Sequence, residues 1–321
     1  MAEQTNVAIA CQGGGSHTAF TAGVLETVLT ECDWESEYEL VGISGTSGGA
    51  FNALATWYGL VAGDTDTATT LLRDIWDDLA ATGYGDRLVN TWLTNLARFE
   101  ASGLPVPQVS PYQLPGQELG KKRIREVLET HIDFEAVPGF CQRDTPDLVV
   151  GTVNINEGVF ETFVNENVTV DAVLASAAVP GTFRAVDIND HLHWDGQFSQ
   201  NPPVSDLMRQ PPARKPDELW VIQINPQELA GEPTSVEEIA DRRNELAGNI
   251  SLNQELRFIE RVNDWVADGK LPAGEFSQTA IHRIEMGERF GSATKVDRDP
   301  QFVRKLMELG QTRGAAFLAE H

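Results

Sequence analysis

The first 62 residues run through one plan twice, and this plan constrains the fold more than any other feature. "VAIACQ" (residues 7–12) is a short apolar run stopped by glycines, as expected of a buried parallel strand entering a turn. "SHTAFTAGVLETVLTE" follows, with Phe20, Val24, Leu25 and Val28 at helical spacing. "YELVGIS" then reads as a second strand and "GGAFNALATWYGLVA" as a second helix. Strand, helix, strand, helix over so short a span implies a parallel sheet with right-handed crossovers.

The pattern continues downstream. Asp64 to Thr67 reads as the cap of a helix through "TATTLLRDIWDDLAA", and residues 86–99 as a further amphipathic segment. "ASGLPVPQVSPYQLPGQ" carries four prolines and reads as a long loop, a surface excursion or access flap. Strands are expected at "DLVVGTVN", "VFETFV", "FRAVDI", "HLHWDG", "ELWVIQIN" and "TAIHRIEM", with helices at "VDAVLASAAVPG", at residues 235–267 and at the carboxyl end. With no internal repeat or low-complexity tract, a single domain over 1–321 is the simpler reading, with core motifs in 7–225 and a C-terminal α/β extension over 226–321.

Charge narrows the partners. Against 48 acidic residues stand 24 basic ones, only 6 of them lysine, for a net charge of −24. Nucleic acid and anionic membrane surfaces would be repelled, and such self-repulsion is tolerable where salt screens it, so the composition reads as salt-adapted. No stretch approaches the run of about 18 apolar residues of a membrane span, and the amino end lacks a leader pattern, so a cytoplasmic protein is expected. Cys11, Cys32 and Cys141 are widely spaced and odd in number, as expected of reduced core residues.

Two glycine-rich turns carry the candidate chemistry. In "GISGTSGGAFNAL" Ser47 lies where a strand ends and a helix begins, the context of a nucleophile elbow. Gly45 and Gly49 stand where side chains would collide, and Gly48 adds freedom. The string suits an ordinary glycine-rich βα turn as well. In "QGGGSHTAF" Gly13, Gly14 and Gly15 let several N–H groups converge at a helix N-terminus, suited to an oxyanion or to a phosphate. As a dinucleotide fingerprint it fails, because Thr18 occupies the final glycine position. In an α/β-hydrolase the order serine, acid, histidine would select Ser47, Asp195 and His282, but the elbow comes too early in the chain for that fold.

The blocks "QGGGSHTAFTAGVLE", "GISGTSGGAFNAL" and "ASAAVPGTFRAVDINDHLHWDGQFSQNPPV" together resemble the patatin-like acyl hydrolases, over roughly residues 7–225. The resemblance implies a three-layer α/β/α sandwich with a mainly parallel central sheet. It implies a Ser–Asp pair without a catalytic histidine, Ser47 as nucleophile and Asp195 as base, and an oxyanion hole from the amides of Gly13, Gly14, Gly15, Ser16 and Gly48. No metal or organic cofactor is implied. Gln12, His17, Thr18 and Gln197 depart from the family pattern, which usually has Asp, a basic residue, glycine, and glycine or alanine there. The resemblance implies a lipid or polyester substrate, a phospholipid or an intracellular polyhydroxyalkanoate, with peripheral contact at a lipid or granule surface.

Two readings compete. His191, His193 and Asp195 alternate in "HLHWDG" and approach a metal-hydrolase signature, but Gly196 stands where its last histidine belongs. A noncatalytic acyl- or phosphate-binding module would keep the glycine loop without needing both Ser47 and Asp195. Trp57, Trp76 and Trp92 suit core packing as well as an acyl pocket.

Overall fold

The computed structural model describes residues 4–102, 110–113, 117–272 and 274–321. From the amino end, β1 (Thr5–Cys11), α1 (Ala19–Glu31), β2 (Tyr38–Thr46) and α2 (Gly48–Ala62) form two strand-to-helix units, followed by α3 (Thr65–Leu79) and α4 (Tyr84–Ala101). Next come α5 (Gln117–His131), the single turn α6 (Val137–Phe140), β3 (Asp147–Asn154), β4 (Val159–Val164) and α7 (Val170–Ser176). The chain continues through β5 (Val186–Ile188), β6 (His191–Asp195), β7 (Glu218–Gln223), α8 (Val236–Ala267), β8 (Ala280–Glu285) and α9 (Pro300–Glu320).

The strands form one sheet in the order β5-β6-β3-β2-β1-β7-β8, with β4 paired to β3. Strands β3, β2, β1, β7 and β8 are mutually parallel, and β4 and β6 run antiparallel to β3. Alternation along the central strands splits the core in two. Val7, Ile9, Cys11, Ile43, Leu148, Val150, Trp220 and Ile222 face the layer of α1, α2, α3, α5 and α9. Ala8, Ala10, Val41, Val149, Leu219 and Val221 face the other side, where Leu252, Leu256 and Ile259 of α8 cover them. A sheet buried on both faces between helical layers is the three-layer α/β/α sandwich expected.

Local signals account for most boundaries. Asp64 caps α3 by accepting the Thr67 N–H at 2.8 Å, and Ser235 with Glu238 forms a reciprocal capping box on α8. The helix expected over 170–181 stops at Ser176, short of Pro180 and Gly181. Helix α5 was not legible: "QELGKKRIREVLETH" is mostly charged, and Val127 and Leu128 alone are fully buried within it. Most of the proline-rich excursion, residues 103–109 and 114–116, lies outside the described residues.

Helix α4 is amphipathic with its apolar side turned outward. Leu88, Val89, Trp92 and Phe99 are exposed, whereas Asn90 and Thr94 are buried. Asn90 explains the orientation: its amide donates to Asp297 Oδ1 at 2.8 Å and its carbonyl accepts the Arg298 N–H at 2.8 Å. Trp57 and Trp76 are core residues, their indole N–H groups donating to Pro146 O and Asn52 Oδ1.

Candidate active site

Ser47 stands between β2 and α2 with φ 57° and ψ −129°, a conformation costly for any residue with a side chain. The surroundings hold it there. Its N–H donates to the Ser176 hydroxyl at 2.9 Å, and that hydroxyl donates to the Gly151 carbonyl at 2.7 Å. Thr46 is tied through its own hydroxyl to Gln200 O at 2.7 Å. A side chain on Gly45 would overlap the Gly49 carbonyl, so the elbow closes tightly only with glycine at 45.

The path by which Asp195 reaches Ser47 is a matter of register. One edge of β3 is taken by β4, so β2 and β6 share the other. Thr46 pairs with Gly151 and Asp195 pairs with Thr152, so the end of β2 and the end of β6 meet at consecutive residues of one strand. The Asp195 carboxyl is fully buried, and its Oδ1 accepts the Gln197 N–H at 2.8 Å. Its Oδ2 is buried without a partner in full hydrogen-bond geometry, although the Ser47 hydroxyl is near enough to act on the carboxyl's pKa. Such contacts are often slack without substrate. Burial dominates and pushes the Asp195 pKa up to about 7, against the opposing pull of the Gln197 amide, the Ser47 hydroxyl and Lys295. A carboxylate of that basicity can take a proton from a serine near neutral pH. The support comes from the Gln197 backbone, so the departure of its side chain leaves it intact.

The glycine loop approaches the elbow closely. A Cβ on Gly13 would overlap the Thr46 carbonyl and come within 2.9 Å of Ser47 Cβ. Gly13 itself is not a free donor: its N–H gives to Asn201 Oδ1 at 2.6 Å, and Asn201 Nδ2 donates back to Gly13 O at 3.2 Å. This corrects the expected oxyanion hole, because an amide already bound in the plane of Asn201 cannot also serve an oxyanion. Among the described residues the N–H groups of Gly14, Gly15, Ser16 and Gly48 have no such partner. Gln12, buried, accepts the N–H groups of Ile224 and Asn225 at 3.0 and 2.9 Å and donates to Asn249 Oδ1 at 2.9 Å, fixing the loop's root to β7 and α8. The Thr18 hydroxyl closes on Gly15 O at 2.6 Å.

His17 is buried against Phe290 and Phe302 and bonds Thr294 Oγ1 at 2.7 Å. Burial and the neighbouring Lys295 lower its pKa to about 3, so it is neutral. The basic side chain at this loop is Lys295, in the turn at Ser292–Val296, a residue with no motif to mark it in the sequence. Asn201 and Ser176 were likewise hidden, although each lies within a block that resembles the family.

His193 is held by Glu161 Oε2 at 2.9 Å and by the His191 carbonyl, and does not converge with His191 and Asp195 on one point. Among the described residues the grouping of donors that could hold an ion is Glu218, His282 and His321. His282, on β8, pairs with Trp220 of β7 and lies three strands from β2, a separation of about 14 Å from strand spacing alone. It is not in reach of Ser47.

A mainly parallel sheet between two helical layers, with a serine elbow facing a glycine-rich loop, is the framework of a class of lipid hydrolases. The chain belongs to one family of that class, the patatin-like phospholipases, whose family profile matches residues 9–208. In fold the chain is similar to VipD from Legionella pneumophila, at 15% identity and a TM-score of 0.50, over 100% of this chain and 68% of VipD. Alignment with the type III effector ExoU covers 98% of this chain and 53% of that one, at 15% identity and a TM-score of 0.36. Full-length ExoU of Pseudomonas aeruginosa in complex with SpcU aligns over 79% and 52%, at 14% identity and a TM-score of 0.32, so the chain spans about half of either ExoU chain. No curated protein matches. No helix among the described residues is long and apolar enough to cross a membrane.

Proposed function

We propose that this protein is a serine ester hydrolase acting on lipid or storage-polyester carboxylic esters through an acyl-enzyme on Ser47. The observation that carries the reading is a serine in a strained elbow next to a buried carboxylate whose pKa is raised to about 7. Ser47 Oγ attacks the ester carbonyl carbon while its proton passes to Asp195. The tetrahedral oxyanion is received by the amides of Gly14, Gly15, Ser16 and Gly48. Collapse expels the alkoxide, which takes the proton from Asp195 and leaves as the alcohol. Water then attacks the acyl-enzyme with Asp195 again as base, releasing the acid and restoring Ser47. No metal or organic cofactor takes part.

The outward apolar face of α4 supports a substrate met at an aggregate surface. The helix is bonded to the segment that packs on the glycine loop, through Asn90 to Asp297 and Asp86 to Arg298. A net charge of −24 disfavours an anionic leaflet wherever salt does not screen it, so an uncharged polyester granule suits this face better than a phospholipid membrane.

Fluorophosphonate labelling of wild type, Ser47→Ala and Asp195→Asn proteins tests the mechanism, beside hydrolysis of short esters, phospholipid vesicles and polyester granules. Labelling of wild type alone, with granules cleaved faster than vesicles, is expected. Labelling that survives Ser47→Ala sinks the mechanism, and binding of esters without turnover favours a noncatalytic module.

A further inference from the structure

We propose that Lys295, which lies outside the matched family region, is a positioning residue of this site, a fixed positive charge behind the glycine loop that stabilises the anion formed on ester attack. The inference rests on the ester-hydrolase reading of Ser47 and Asp195.

The geometry is close and well anchored. A Cβ on Gly15, which has φ +59°, would overlap the Lys295 carbonyl, and one on Gly14 would stand 3.7 Å from Lys295 Cε. Lys295 thus lies across Gly14 and Gly15, two of the glycines whose amides are free. The turn bearing it is pinned from several sides: the Ser292 N–H donates to Asp241 Oδ1 at 2.9 Å, Thr294 meets His17, and Asn90 holds Asp297. The lysine cannot swing away with a mobile loop.

Among the described residues its ammonium has no carboxylate in direct contact. The ammonium donates to Asn225 Oδ1 at 2.9 Å, and among the described residues it makes no salt bridge. Of the carboxylates that act on it, Glu245 is shared with Arg242 at 3.0 Å and Arg289 at 2.9 Å, and Asp241 accepts the Ser292 N–H and acts on the lysine without touching it. His17, on the loop side, is neutral. Burial lowers the lysine's own pKa, whereas Glu245, Asp241 and Asp195 pull it up, so Asp195 and Lys295 act on one another. A cation without a contacting carboxylate in a partly buried site costs stability. It is repaid when a negative charge develops nearby, which in this site happens at the oxyanion, and a preoriented charge needs no rearrangement at that moment. The same charge favours the ionised, base-competent form of Asp195.

The test compares wild type, Lys295→Met and Lys295→Arg in fluorophosphonate labelling rate, in kcat and KM for a soluble p-nitrophenyl ester across pH, and in thermal midpoint. K295M is expected to lose about tenfold or more in labelling rate and kcat, with KM changed by less than about twofold. Its acid limb should move to higher pH, its thermal midpoint should not fall, and K295R should recover most of the loss. Wild-type rates and pH profile in K295M would overturn the proposal. So would a K295R as impaired as K295M, or a loss that only follows a lowered midpoint. If K295M does not fold, Lys295→Gln replaces it, and failure of both to fold would also overturn it, because the lysine would then be a structural requirement. A wild type not labelled at Ser47 fails the ester-hydrolase reading instead.

Discussion

Asp195→Asn should make the protein more stable at alkaline pH while abolishing turnover. In the folded protein the Asp195 pKa is raised from 3.8 to about 7 by burial, so the native state holds this proton more tightly than the unfolded chain does. The resulting stabilisation is fully present below about pH 4 and is lost as pH rises through about 7, where an ionised carboxylate becomes buried. A rise of about three pH units at about 1.4 kcal/mol each amounts to about 4 kcal/mol, of which about 3 kcal/mol falls between pH 5 and pH 9. Asparagine keeps the acceptor for the Gln197 N–H and cannot ionise. For 321 residues the unfolding entropy corresponds to about 0.7 kcal/mol per degree, so the midpoint of D195N relative to wild type should climb by about 4 °C from pH 5 to pH 9. Calorimetry at both pH values in one salt concentration measures it, since titrating groups not coupled to Asp195 cancel in the difference. A D195N offset that is constant with pH, or that falls, would refute the reasoning.

Wild-type kcat/KM on a soluble ester should fall as pH drops through about 7, because only ionised Asp195 accepts the proton; a profile flat from pH 5 to 9 contradicts that. Ser47→Gly should be more stable than Ser47→Ala by about 1 kcal/mol in denaturant unfolding, because glycine alone adopts φ 57° without strain. Asn201→Ala, which releases both Gly13 bonds, should cost about 2 kcal/mol and slow fluorophosphonate labelling; unchanged labelling would show that the loop keeps its shape without the clamp. Trp92→Ser together with Leu88→Ser should leave soluble-ester turnover intact and reduce hydrolysis of polyester granules several-fold, and equal losses on both would deny α4 a surface role.

Element types were largely legible because they follow from short-range pattern. Strands β3 and β4 fall on the residues expected, and the elbow's glycines state the need for a tight turn before the serine is placed. Legibility failed where a pattern had two solutions. The amphipathicity of α4 was evident, but which face turns inward depended on Asn90 finding partners more than 200 residues away. The charged helix α5 offered too few apolar positions to declare itself. The glycine loop read as a set of donors, yet Gly13 was already taken by a side chain distant in sequence.

By itself the sequence determined the strand-to-helix units, the two glycine turns at the carboxyl ends of β1 and β2, and through its three blocks the family. These are local properties, set by backbone sterics and by the period of apolar residues over a few turns. Only the tertiary structure decided that Asp195 stands beside Ser47, because that depends on β2 and β6 dividing one edge of β3 at adjacent residues. It alone decided that Asp195 is buried enough for its pKa to rise to about 7, and that the basic side chain at the loop is Lys295 while His17 is neutral. Register, burial and the field of a distant charge are sums over the whole packed chain, and no window of sequence contains them.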